Sequence, residues 1–106
     1  MKVFAFIGPS GSGKSHRATW VAREKGAEFI VDDGLLILGN RVVAGISAKR
    51  EKTRISSIKR AIFKDVVHTN DVKTAIRRYN PNGILILGTS DGMVEEISKR
   101  LPFLKS

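Results

Sequence analysis

The chain has 106 residues, enough for one domain with one modest core. It is 42% hydrophobic and 27% charged, as ordinary globular proteins are, and the absence of cysteine excludes disulfides, thiolate metal sites and cysteine nucleophiles. The net charge of +9 is concentrated in residues 41–78, where 11 Lys and Arg stand against 3 Asp and Glu; such a segment attracts polyanions, nucleic acid or an acidic protein among them, or forms a solvated basic face.

No apolar run approaches the roughly 20 residues needed to cross a bilayer, so no membrane partner is expected. The opening MKVFAFIG has a short apolar run that ends in glycine and lacks the cleavage site of a signal peptide. A cytoplasmic protein is the expectation. Two histidines far apart in sequence do not make a zinc site.

Residues 2–7 read as a buried strand rich in β-formers. A helix should begin near Gly13, carry Ala18, Val21 and Ala22 on one face, and stop at Gly26. Residues 28–32, EFIVD, form a second strand. Runs 35–38 and 41–44 flank Gly39-Asn40, a pair suited to a two-residue hairpin turn. Residues 46–54 are basic, have no apolar period and read as a loop. Ile55, Ile58, Ala61 and Ile62 mark a helix from about Thr53. A third helix is expected to start at Thr69 or Asn70, with Val72, Ala75, Ile76 and Tyr79 inward. Asn80-Pro81-Asn82-Gly83 breaks it. Residues 84–87 form another buried strand, and Thr89, Ser90 and Asp91 offer caps for a last helix that Pro102 ends.

This order predicts an α/β fold: a mainly parallel sheet flanked by helices, with a small antiparallel hairpin. Strands 3–7 and 84–87 read as covered on both faces. The whole chain reads as a single domain, or as the N-terminal domain of a longer protein.

The chemistry is carried first by Gly8-Pro9-Ser10-Gly11-Ser12-Gly13-Lys14-Ser15, which fits G-x-x-x-x-G-K-[ST] at every fixed position. The glycines let successive backbone N–H groups point inward as an anion nest, and the following helix adds its positive end. Lys14 places a charge between the outer phosphates, and Ser15 offers a hydroxyl to Mg²⁺. His16 follows on the first helical turn, either near a phosphoryl acceptor or as an ordinary surface residue.

Asp32 and Asp33 end the second strand. Adjacent residues point to opposite sides of an extended chain, so at most one faces the metal, and Asp32 is favoured. That carboxylate would hold the Mg²⁺ water shell or take a proton from an acceptor; the alternative is a polar turn into Gly34. Thr89 and Asp91 are a rival pair for the γ-phosphate, or helix caps. In the basic stretch, Arg50 and Arg54 are candidates to swing onto the γ-phosphate, against a solvated face or an RNA-contacting patch. Trp20 falls with His16 and Glu24 away from the apolar face, as an interface residue or packed under the basic loop.

The GPSGSGKS loop resembles the Walker A motif of P-loop NTPases and kinases, in the form seen in small nucleotide kinases. With the helix and the Asp-Asp strand end it also resembles the P-loop region of HPr kinase/phosphorylase, over about residues 4–37, with His16 where that family has an acidic residue. Over its length the chain is similar to a group of bacterial P-loop proteins that share a GPSG-GKSH loop, IDDGLLI-GN, AGxSAKRE-TR and LLILGTS, met here by GPSGSGKSH, VDDGLLILGN, AGISAKREKTR and ILILGTS. These resemblances imply ATP or GTP binding with Mg²⁺ and leave the reaction open. Three readings follow: an NTPase or phosphotransferase, a regulatory nucleotide-binding module, or a basic nucleic-acid-associated module.

Overall fold

The computed structural model describes residues 2–9 and 13–101. Five strands, β1 (Lys2–Ile7), β2 (Phe29–Asp32), β3 (Leu35–Leu38), β4 (Arg41–Gly45) and β5 (Gly83–Gly88), form one sheet in the order β1-β5-β2-β3-β4. Four helices surround it: α1 (Lys14–Lys25), α2 (Arg54–Ala61), α3 (Val66–Tyr79) and α4 (Asp91–Arg100). No described helix is long and apolar enough to cross a membrane.

Alternation along β5 divides the core. Leu85 and Leu87 face α1 with Ala18, Ala22 and Ile30. Ile84 and Ile86 face the other way, with Phe29, Val31, Val72, Ile76 and Ile97. All six residues of β5 are buried, and each large apolar side chain there contributes roughly 1.5–3 kcal/mol. The reading of 84–87 as a covered central strand holds.

The sheet, however, is evenly mixed and not mainly parallel. β1 and β2 flank β5 in parallel, but β3 runs antiparallel to both β2 and β4. The cause is a second hairpin. Asp32 pairs with Leu35, leaving Asp33-Gly34 as a two-residue turn with φ of 55° and 84°, the doubly positive condition of a type I′ turn. The expected Gly39-Asn40 hairpin is also present, with Leu38 opposite Arg41.

β1 is likewise not a central strand. It pairs only with β5, and its residues alternate between half-buried and exposed. Phe4 and Phe6 pack on the α1 side. Val3 and Ile7 are exposed on the opposite face, because the helices there cover β5, β2 and the hairpin strands and stop short of the edge.

Three further expectations change. α3 begins three residues before Thr69, capped by Asp65, whose carboxylate accepts from the His68 N–H at 3.1 Å. Thr69 is buried and spends its hydroxyl on the Phe63 carbonyl at 2.8 Å. Trp20 is 65% exposed and not packed under the basic loop. Within 46–54, Ala48–Arg50 form one helical turn capped by Ser47. At the last helix Ser90 is the cap, accepting from the Met93 N–H at 3.2 Å; Pro102 lies outside the described residues.

Candidate functional site

The strand tips and helix starts converge at one end of the sheet. Gly8, just past β1, donates its N–H to the carbonyl of Gly88 at the tip of β5, at 3.1 Å. Gly13 then caps α1 in the left-handed conformation, φ 79°, with no side chain bonded to the helix N–H groups. Lys14 and Ser15 are the first two residues of α1. Pro9 and His16 are exposed, and Ser10, Gly11 and Ser12 lie outside the described residues.

Ser15 Oγ donates to Asp32 Oδ2 at 2.7 Å across 17 residues of sequence. The last fixed position of the phosphate-loop pattern therefore meets the strand-end carboxylate. The two aspartates take different partners, because β2 ends at Asp32 and Asp33 stands in the left-handed turn. Asp33 sits in the turn, accepts from Ser47 Oγ at 2.5 Å through Oδ2, and accepts from the Ala48 N–H at 2.9 Å through its carbonyl. Its side chain and backbone tie the β2–β3 turn to the segment after β4.

A cleft of about 710 Å³ opens beside this pair. It is lined by Lys14, Ser15, Asp32, Gly88 and Thr89, by Lys49 and Arg54, by Ile58 and Ala61 of α2 with Ile62 just after it, and by Met93 and Glu96 of α4. Of the two arginines proposed for the γ-phosphate, Arg54 reaches the cleft and Arg50 does not line it. Of the rival pair after β5, Thr89 lines the cleft and Asp91 does not. Lys14, Lys49 and Arg54 form no ion pair among the described residues, whereas Arg60 bridges Glu51 and Asp65, each at 3.7 Å. Glu96 is held by Arg100 and Lys99, and the Arg100 hydrogen bond keeps its carboxyl below the usual range.

Beneath the turn lies a group that sequence reading did not single out. His68 is buried, stacks on Phe63 with ring centroids 4.9 Å apart, and places Nε2 2.7 Å from the Gly34 carbonyl. A carbonyl only accepts, so Nε2 carries the proton and the bare Nδ1 is buried without a partner among the described residues. Burial lowers the His68 pKa; the Gly34 carbonyl opposes this and Arg60 adds to it. Phe63 itself has φ 63°, an uncommon backbone conformation that the Thr69 hydroxyl bond helps to hold. The signal available in sequence was a histidine one position from the good cap Thr69.

Because the folded pKa of His68 is depressed, the unfolded chain binds the proton more tightly. Stability from this group is full above 6.5, the ordinary value, and is lost as pH falls from there through the folded value. Urea unfolding across that window should show a falling midpoint in the wild type. His68→Gln, which keeps a donor near Gly34, should flatten it; an unchanged slope would remove His68 as the cause.

Among the described residues no three His, Cys, Asp or Glu side chains gather as a metal cage. Set against family models, curated proteins and solved structures, the chain shows no match to any of them.

Proposed function

We propose that this chain is a P-loop domain that binds a nucleoside triphosphate, ATP more than GTP, with Mg²⁺, and acts as an NTPase or phosphotransferase. The observation that carries the reading is the 2.7 Å bond from Ser15 Oγ to Asp32 Oδ2. It joins the end of G-x-x-x-x-G-K-S to a strand-tip carboxylate, and sets a hydroxyl for a mostly hydrated Mg²⁺ beside a carboxylate for its water. The parallel trio β1, β5 and β2, with the loop after the first and the aspartate at the tip of the last, is the part of the sheet that supports a P-loop-like fold.

In this reading backbone N–H groups of the loop hold the phosphates and Lys14 bridges the outer two. Ser15 and Asp32 would hold the metal and its water, which neutralises charge on the β- and γ-oxygens when bound. Arg54 approaches the γ-phosphate from α2. The unpaired state of Lys14, Lys49 and Arg54 around one cleft favours an anionic ligand there.

Calorimetric titration with ATP, GTP and ADP, with and without Mg²⁺, tests this. Mg²⁺-enhanced binding of ATP is expected, and Lys14→Ala should weaken it by at least about tenfold, the weight of one charge-assisted contact to phosphate. Equal heats from wild type and Lys14→Ala would remove the reading. Salt-dependent RNA binding in place of nucleotide binding would favour the nucleic-acid module instead.

A further inference from the structure

We infer that the outer part of the cleft, between α2 and α4, binds a small hydroxyl-bearing organic anion as the phosphoryl acceptor. This rests on the nucleotide reading and chooses among water, protein and small-molecule acceptors. α1, which receives the phosphates, packs on one face of the sheet, whereas Ile62 and Met93 pack against the core of the other. The cleft therefore runs from the strand tips onto the side away from α1. The whole cleft, phosphate end included, measures about 710 Å³, within the range of small-molecule sites. Ile58, Ile62 and Met93 give it apolar walls, suited to a carbon skeleton.

The polar groups fix the rest of the acceptor. With Arg54 taken by the γ-phosphate, Lys49 lines the cleft without an ion-pair partner among the described residues, which favours an anionic substituent. Three carboxylates line it, and two are engaged: Asp33 by Ser47 and Glu96 by Arg100 and Lys99. Asp32 is held only by the Ser15 hydroxyl. Touching the metal through its water and not directly, it is the carboxylate left to receive the acceptor's proton. In transfer the acceptor oxygen bonds to the γ-phosphorus while the bond from phosphorus to the β,γ-bridging oxygen breaks. The electron pair leaves with the nucleoside diphosphate, and the hydroxyl proton passes to Asp32.

The chain has two methionines, so carbon-13 methyl labelling gives Met93 one of only two signals. The full chain, with Mg²⁺ and a non-hydrolysable ATP analogue, is titrated with lactate, glycerate and para-hydroxyphenylacetate. At least one acid should move the Met93 signal without displacing the analogue. The neutral amide of that acid should bind roughly tenfold more weakly. Ala61→Phe, which fills the cleft, should abolish the response. Ile58→Glu, which adds a negative charge at a half-exposed position, should weaken it with no demand on folding. A Met93 signal silent to all three acids, acid and amide binding alike, or displacement of the analogue would each overturn the inference. The acids are also titrated without nucleotide. Failure of the analogue to bind then sinks the nucleotide reading and the acceptor role with it, while the Met93 response still decides whether the cleft binds an organic anion.

Discussion

Asp32→Asn is expected to cut Mg²⁺-dependent ATP turnover by about 10²–10⁴-fold while leaving metal-free nucleotide binding at least as tight as in the wild type. The reasoning is local. Asp32 meets the Ser15 hydroxyl at 2.7 Å and lines the cleft beside Lys14. An amide keeps the shape but neither attracts a cation nor takes a proton at neutral pH. Removing a negative charge from beside the phosphates also lessens repulsion, so nucleotide alone should bind no worse. Asp33→Asn makes the contrast. Its carboxylate is spent on Ser47, so the neighbouring substitution should weaken the β2–β3 turn and leave turnover within a few-fold of the wild type. Steady-state kinetics and metal-free calorimetry on both variants check this. Equal loss of turnover in the two would mean that the Ser15 contact does not mark the working carboxylate.

Asp32, the favoured aspartate, is the one that meets Ser15, but the cause is the turn and not alternation: β2 ends at Asp32, and Asp33 stands in the left-handed region at φ 55°. The strand and helix that bracket the G-x-x-x-x-G-K-S stretch and the burial of 84–87 were legible from short apolar runs bounded by glycine. What escaped had weaker local marks. Asp33-Gly34 is a strong hairpin pair, but its first residue also looked chemical, and the turn function was read as the alternative. Hence β3 was placed in one hairpin when it belongs to two. The apolar run of β1 says that it lies in a sheet; it does not say how many helices cover it, and one face of Val3 and Ile7 is left open. His68 was hidden because a lone histidine in a basic segment reads as solvated. Its burial depends on Phe63 and Gly34, which come to it from other parts of the chain. The cleft was the least legible of all. It is made by α2 and α4 standing apart across the sheet end, and no spacing in sequence records that gap.

Gly34→Ala should be the most destabilising single methyl that can be added to the turn. Gly34 has φ 84°, where an L side chain costs about 1–2 kcal/mol. Gly26 supplies the control: it caps α1 at φ 72°, ψ 24°, with nothing within 4 Å of an added Cβ. Gly26→Ala should therefore show the conformational cost alone. At Gly34 the same Cβ would lie 2.5 Å from the Ile46 carbonyl oxygen and 3.3 Å from the Arg60 carbonyl oxygen. Both are backbone atoms. Ile46 follows β4, and Arg60 belongs to α2, so relief requires the turn to move away from both. Movement would also pull the Gly34 carbonyl from His68 and the Asp33 carboxylate from Ser47. The total should reach about 3–5 kcal/mol, a large share of the roughly 5–15 kcal/mol that holds a domain of this size. Urea midpoints at unchanged slope measure both variants. If Gly34→Ala costs no more than Gly26→Ala, the turn is not pinned against α2, and Asp32 owes its position to something other than this packing.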